Sequence, residues 1–399
     1  MKQIYGAVTA AKGFTAAGVR CGIKEKGTDL ALIYSEVECS AAAVFTTNVF
    51  KAASVVKNLE TIKAGRGRAI IANSGNANAC TGEKGLKDVD YIRKFTADLL
   101  NIPVNQVFTA STGIIGQPMP MDKMDVGIMD AVAELDENGG DAASLAIMTT
   151  DTRPKTSAYE FEIGGVPVRI GAMCKGAGMI CPNMATMLCF ITTDAKISAG
   201  LMQKCLTAAV DRSLNSLSID GDMSTNDSVI MLANGKSGCP EIIEDTPEHL
   251  LFEKALAQVC LELAQAIARD GEGATKYVEV HLVNAASYQD AKAAAMKVAN
   301  SPLVKTAIFG QDPNWGRVLC AAGGSGASII PGKTSLYFGD VKIVENGEPI
   351  KLDPEVARKP MLEKDLRITI DLGLGSESAT AFTCDFSYEY VKINAEYHT

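Results

Sequence analysis

The sequence predicts an α/β protein with strands and helices mixed along the chain and a smaller α/β lobe toward the C-terminal end. Three observations carry this reading. Apolar runs of strand length, at residues 69–73 and 107–115, alternate with a stretch of helical spacing at 84–100. A second long apolar periodicity spans 247–268 and runs directly into a strand pattern at 277–283. Beyond about residue 300 the pattern is mainly strand, with a hairpin signal at Asn346-Gly347.

Composition narrows the function classes. A chain of 399 residues can bury one large core or two medium ones, and length alone does not choose. With 47% hydrophobic and 21% charged residues it reads as globular rather than disordered. A formal net charge of -9 argues against a polyanion-binding surface, so nucleic acid is not expected as a partner. The opening MKQIYGAVTAAKGF lacks the apolar core of a signal peptide, and no run nears the roughly eighteen apolar residues of a membrane span. A cytoplasmic protein is expected, with no membrane partner. The eleven cysteines are odd in number and show no C-x-x-C spacing, which favours buried free thiols over disulfides or a metal site. Only His249, His281 and His398 could serve a histidine-based triad or zinc site, and none has motif context. Any catalytic base is expected to be something other than histidine, and no metal is expected.

Taken in order, residues 29–34 and 42–46 read as two short strands, the second ending in the polar turn Phe45-Thr46-Thr47-Asn48 with Lys51. The strand at 69–73 runs into Ser74-Gly75-Asn76-Ala77-Asn78, a small amide-rich loop whose side chains are suited to satisfying backbone groups. The run VFTASTGII at 107–115 ends in Ser111-Thr112-Gly113. Glycine lets the backbone approach a ligand closely, and an N–H beside a hydroxyl can form a two-donor pocket for an oxyanion, although S-T-G alone is usually a turn. A helix at 121–135 breaks at Glu137-Asn138-Gly139-Gly140, and IMTTDTRPK follows at 147–155. Strands at 159–163 and 166–173 form a hairpin through Gly164-Gly165.

That hairpin leads to KGAGMICPNMATMLCF at 175–190: a lysine, a glycine-rich loop, then an apolar strand with Thr186 at its mouth. As a structural residue Thr186 is simply β-branched and at home in a strand. If the bond before it were cut, its hydroxyl would sit beside a free α-amine able to act as a base. Beyond it Ser198 caps a helix to about residue 215. The acidic SIDGDMSTND at 218–227 lacks the Ca²⁺-loop pattern and reads as structural or site-lining. After the long helix, Gly271 and Gly273 flank Glu272, either as a solvated helix-to-strand turn or as a presented carboxylate. GQDPNWGR at 310–317 starts a helix after Pro313, and residues 366–372 and 380–393 alternate as strands. The polar tail ends on Asn394 and Thr399.

The segments KGAGMICPNMATML, NSGNANA, IMTTDT-x-PK, SIDGDMSTND and GQDPNWGR together resemble the ornithine acetyltransferase (glutamate N-acetyltransferase, ArgJ) family along nearly the whole chain. The resemblance implies a layered αββα architecture like the DmpA/ArgJ fold, of N-terminal-nucleophile type. It implies autocatalytic cleavage between Ala185 and Thr186, giving an α chain of residues 1–185 and a β chain of 186–399, interwoven in one fold and present in two copies each. Thr186 would then be the nucleophile, with the Thr112 hydroxyl and Gly113 amide as oxyanion donors. Thr149, Lys175, Thr186, Glu272, Asn394 and Thr399 would bind substrate. The implied reaction takes the acetyl group from N2-acetyl-L-ornithine, releases ornithine, and delivers the acetyl group to L-glutamate by a ping-pong route. No cofactor is implied, and acetyl-CoA as a second donor is left open. A fold-sharing amidohydrolase or aminopeptidase, releasing acetate or amino acids without glutamate, and an inactive binding relative stay as alternatives.

Overall fold

The computed structural model describes residues 1–181 and 187–396. The first half runs β1 (Lys2–Gln3), β2 (Phe14–Val19), β3 (Leu30–Phe45), α1 (Ala53–Thr61), β4 (Arg66–Asn76), α2 (Gly82–Leu100), β5 (Val107–Ile114), α3 (Met121–Ala133) and α4 (Gly140–Ala146). It continues through β6 (Lys155–Ile163), β7 (Val166–Lys175), β8 (Leu188–Thr193), α5 (Ala199–Asp211), β9 (Ser228–Ala233) and α6 (Pro247–Arg269). The remainder is β10 (Tyr277–Ala285), α7 (Tyr288–Ala299), α8 (Pro302–Phe309), α9 (Trp315–Gly323), β11 (Ser335–Phe338), β12 (Val341–Glu345), β13 (Glu348–Pro349), α10 (Pro354–Arg358), β14 (Asp365–Asp371), β15 (Glu377–Cys384) and α11 (Tyr388–Glu396).

The nine strands of the first half form one hydrogen-bonded sheet in the order β1-β6-β7-β8-β9-β3-β4-β5, with β2 also paired to β3. β3 is the hinge of this sheet. Its Leu30–Tyr34 stretch pairs with β4 and β2, whereas Ser40–Phe45 pairs with β9. Alternation along each strand then sorts side chains into layers. Leu188 and Phe190 of β8 join Ile230 and Leu232 of β9 and Ile70, Ala72 and Phe108 of β4 and β5 in one interior cluster. Their neighbours Cys189, Ile191, Val229 and Met231 turn the other way, onto α5 and α6. Ala69, Ile71 and Val107 face α2 and α3. The sheet therefore folds over on itself with helices outside both leaves, which is the expected αββα layering. Phe190 is fully buried between the leaves, and burial of one such side chain stabilises by about 1.5–3 kcal/mol.

A second sheet, β13-β12-β11-β14-β10-β15, forms the smaller lobe with α7, α8 and α9 against it. Phe382 and Cys384 at the end of β15 belong to the main core, which fixes the lobe to the body. Asn346 and Gly347 take left-handed φ values of 51° and 81°, as the expected hairpin turn requires. Among the described residues no helix is long and apolar enough to cross a membrane.

Three expectations need correction. Beyond about residue 300 the chain is not mainly strand, because α8, α9, α10 and α11 alternate with the short strands β11 to β15. The strands expected at 29–34 and 42–46 are one 16-residue strand, β3. Its middle, with exposed Glu36 and Glu38, passes a register shift between Tyr34 and Cys39 where one face is open, so the apolar pattern lapses while the strand continues. The strand expected over 380–393 stops at Cys384, and α11 follows. The Ser387 hydroxyl accepts the Glu389 amide at 3.2 Å and so starts a helix, and Phe386 stacks on Tyr390 at 4.6 Å, a helical spacing. Polar and apolar residues alternate there by coincidence.

Candidate active site

One cavity of about 400 Å³ opens where β5 and β7 end and β9 begins. Thr112, Gly113, Thr149, Lys175, Glu272 and Asn394, spread over 283 positions from 112 to 394, all line it. Ala185, Thr186 and Thr399 lie outside the described residues. The described chain resumes at Met187, whose amide donates to Asp227 Oδ1 at 2.9 Å.

The Ser111-Thr112-Gly113 turn is held by backbone contacts rather than by bulk. Gly113 has a φ of +131°, and a Cβ there would stand 2.3 Å from the carbonyl carbon of Gly75. Glycine is therefore required for β5 to lie this close to the 73–79 loop. Asn226 Nδ2 donates to Ser111 O at 2.7 Å and to Ala77 O at 2.6 Å, tying that loop and the turn to the start of β9. The amides of the loop act structurally, as expected: Asn73 reaches Asn76 O, Asn76 reaches the carbonyls of Gln117 and Pro118, and Asn78 reaches Gly85 O. Lys175 Nζ donates to Thr112 Oγ1 at 3.4 Å. An ammonium only donates, so the Thr112 hydroxyl accepts there and keeps its own hydrogen to give.

Beneath the cavity lies a buried ionic group that sequence reading missed. Lys155 Nζ is 2.6 Å from both Asp151 Oδ1 and Asp270 Oδ2, and all three side chains are almost wholly buried. Asp151 also accepts the Gly176 amide at 2.7 Å and the Thr149 amide at 3.0 Å, and Thr152 bonds Asp270. These contacts set the Thr149 loop, the Lys175–Gly176 turn and the end of α6 relative to one another. Burial alone would raise the Asp151 carboxyl, but the charges of Lys175 and Lys155 outweigh it and bring it down to about 2. Lys175, fully buried, is lowered by that burial, which Asp151 and Glu272 partly offset. Replacing Lys155 with methionine would strand two buried carboxylates. We expect it to lower the unfolding free energy by about 3–5 kcal/mol, read as a drop in the urea midpoint; a loss under about 1 kcal/mol would contradict this assignment. The Asp151–Lys155 spacing of four residues was the one clue available in the sequence.

Glu272 is brought in by a close backbone. Its amide donates to Ala177 O at 2.8 Å, and its Oε2 accepts from Asn394 Nδ2 at 2.8 Å. A Cβ on Gly178 would come 2.3 Å from that carboxylate, so Gly178 makes room for it. Glu272 is thus a presented carboxylate and not a solvated turn, with 8% exposure. The 218–227 loop lines the cavity through Asp220, Asp222, Met223, Ser224, Thr225 and Asn226, so the site-lining reading of it holds. The turn after β3 braces this loop: the Thr46 hydroxyl donates to Ser224 O and Asn48 to Met223 O. GQDPNWGR lies in the smaller lobe, where Asn314 caps α9 by accepting the Arg317 amide, and contributes nothing to the cavity lining.

Asp220 accepts the amides of Met179 and Ile180 at 2.6 and 2.8 Å. Burial raises its carboxyl to about 6, and Asp222 adds to the rise, while the two amides pull the other way. In the window from about pH 4 to 6 the folded chain holds more protons than the unfolded one, so this group's contribution to stability falls as pH rises. Carboxyl-carbon NMR should place the Asp220 midpoint near 6; a midpoint near 4 would show the carboxyl to be solvated.

Cys205, His249 and Glu253 are the one group of possible metal ligands found among the described residues, remote from the cavity. His249 Nδ1 faces the Asp245 amide at 3.3 Å, which leaves the neutral ring's proton on Nε2, the nitrogen that faces the other two residues. That arrangement works against metal ligation. The eleven cysteines are all free; Cys80 and Cys320 are exposed, so burial holds for most rather than all.

A family model described as the ArgJ family matches residues 15–399. The arginine biosynthesis bifunctional protein ArgJ of Symbiobacterium thermophilum is 50% identical over 402 residues, covering all of both chains. The protein of the same name from Caldanaerobacter subterraneus subsp. tengcongensis is 47% identical over 403 residues, again end to end. Among solved structures, the Bacillus halodurans arginine biosynthesis bifunctional protein ArgJ is 39% identical with a TM-score of 0.51, matching 98% of that chain to 52% of this one. By sequence along its whole length, and in keeping with the motifs that suggested it, the chain belongs to the ArgJ family.

Proposed function

We propose that this chain transfers the acetyl group of N2-acetyl-L-ornithine to L-glutamate through an acetyl-threonine at Thr186. Family membership places it among the acyltransferases of arginine biosynthesis. The observation that carries the finer reading is the convergence of Thr112, Gly113, Thr149, Lys175, Glu272 and Asn394 on one cavity of amino-acid size at the head of the strand that follows Thr186.

In this reading the Thr186 hydroxyl attacks the acetamide carbonyl, and its own α-amine accepts the proton. Such an amine ordinarily titrates at about 7.7–8.0, so a usable fraction is neutral at pH 7. The Thr112 hydroxyl and Gly113 amide receive the oxyanion. Ornithine leaves with that proton, glutamate enters, and its amine takes the acetyl group by the reverse steps. Lys175 pairs with the α-carboxylate common to both substrates. Glu272, held by Asn394, reads their amino groups, with Thr149 and Thr399 completing the pocket. No cofactor takes part, and acetyl-CoA is a candidate second donor.

Cleavage at Ala185-Thr186 would give pieces of roughly 20 and 23 kDa. The sheet order supports their staying together, because β8 and β9 from the second piece lie between β7 and β3 of the first. Two copies of each piece, in the cytoplasm, complete the proposal. Formation of N-acetylglutamate is the test, run once with N-acetylornithine and once with acetyl-CoA. Free acetate released without need for glutamate would favour the amidohydrolase reading instead.

A further inference from the structure

The α-carboxylate shared by the two substrates needs a charged partner, and Lys175 can serve only as an ammonium. Its setting opposes that form. Lys175 is buried, and among the described residues its Nζ makes one hydrogen bond, to the neutral Thr112 hydroxyl at 3.4 Å. An ammonium has three hydrogens to give, so the protein meets little of its donor capacity. A buried ammonium without a nearby anion tends to give up its proton.

Asp151 supplies the anion, and its contacts reach two segments of the cavity wall. Its Oδ1 accepts the Gly176 amide, next to Lys175, at 2.7 Å, and its Oδ2 accepts the Thr149 amide at 3.0 Å. One side chain thus ties together the backbone at two residues that line the cavity, Thr149 and Lys175. Lys155, opposite Cys174 in the β6–β7 ladder, holds the same Oδ1 at 2.6 Å. The carboxyl is pinned at both oxygens and cannot turn away.

Other charges bear on Lys175. Lys24, on the loop between β2 and β3, and Lys155, on β6, repel it. Glu272, after α6, and Asp227, before β9, favour its charge, but less than Asp151 does. Burial pushes Asp227 well above the usual carboxyl range, toward its neutral form. Burial would raise Asp151 too, but Lys175 and Lys155 outweigh it and hold it at about 2, so its charge persists at neutral pH.

We infer that Asp151 is a positioning residue for the substrate α-carboxylate: it fixes Thr149 relative to Lys175 and keeps Lys175 an ammonium. This rests on the reading of Lys175 as the carboxylate's partner. A carboxylate beneath a carboxylate pocket repels what the pocket binds, so its benefit comes through Lys175.

Carbon NMR of lysine Cε, with Lys175→Met assigning the signal, measures the coupling. In Asp151→Asn the Lys175 midpoint should fall by about 1–3 pH units, the usual effect of one close charge. Coupling is reciprocal, so in Lys175→Met the Asp151 carboxyl should titrate higher by a similar amount. That variant decides the matter where the asparagine variant does not fold. An unmoved midpoint in either overturns the inference. In the Asp151→Asn enzyme, at a pH between the two Lys175 midpoints, KM for N-acetylornithine and for glutamate should rise together by about 10–100-fold. Both should recover as the pH is lowered and Lys175 regains its proton, with kcat little changed. A KM raised equally at every pH would mean only a disturbed loop, and would also overturn it. If the wild-type enzyme never forms N-acetylglutamate, the transfer reading falls, while the two midpoints still judge Asp151.

Discussion

Replacing Thr186 with alanine is expected to leave the chain at its full length and to abolish acetyl transfer. Both losses have one cause. The hydroxyl would attack first the Ala185 carbonyl and later the acetamide, and no other group is proposed to stand in for it. Loss of a nucleophile in comparable covalent mechanisms costs about 10⁶ in kcat. Thr186→Ser, which keeps the oxygen and drops only the methyl group, should retain both activities at reduced rates. A denaturing gel and an N-acetylglutamate assay on the two variants check this, and near-normal transfer by the alanine variant would reassign the nucleophile.

The second large effect is expected at Thr112. The Lys175 ammonium already occupies one side of its hydroxyl, at 3.4 Å, and an ammonium has nothing to accept with. The hydroxyl hydrogen is thus left free of that contact, and Thr112 lines the cavity. If the hydroxyl donates to the tetrahedral oxyanion, Thr112→Ala should lower kcat about 10²–10³-fold, some 3–4 kcal/mol, with KM little changed. Thr112→Ser should restore most of the rate. A rise in KM at constant kcat would mean that the hydroxyl binds substrate instead. Gly113→Ala should be at least as damaging, since the new methyl group would meet the Gly75 backbone at 2.3 Å.

Much of this was legible in the sequence because it was local. The hairpin through Gly164-Gly165, the turn at Asn346-Gly347 and the capped helix after Ser198 depend on neighbours a few positions away, and each stands where its residues placed it. Among the elements not read out, α7 is alanine-rich and α8 opens with Ser301-Pro302, signals that could have been used. The unity of β3 was hidden for a different reason. Its central residues are exposed on an open face, so nothing in their hydrophobicity separates a continuing strand from a loop. Tyr388 to Glu396 misled by the opposite accident, alternating like a strand while folding as a helix.

The site divides in the same way. Motif resemblance singled out Thr112, Gly113, Thr149, Lys175, Glu272 and Asn394, and these six side chains or backbone groups line one cavity. Their supports were not legible, because each joins distant segments. Lys155 reaches Asp270 across 115 positions, and Asn226 reaches Ser111 across the same span. No spacing rule exposes such pairs. Asp227 is a further case: as the last letter of an acidic loop it carries no local sign of burial, yet it is among the most buried carboxyls in the chain.

At bottom the account asks whether an acyl group ever rests on the residue that heads the second piece. Enzyme quenched in acid during turnover with N-acetylornithine, before glutamate is added, should carry about 42 extra daltons on the fragment beginning at Thr186, removed when glutamate is supplied. The same added mass on another peptide, or a Thr186 fragment without it under conditions where product forms, would contradict the mechanism.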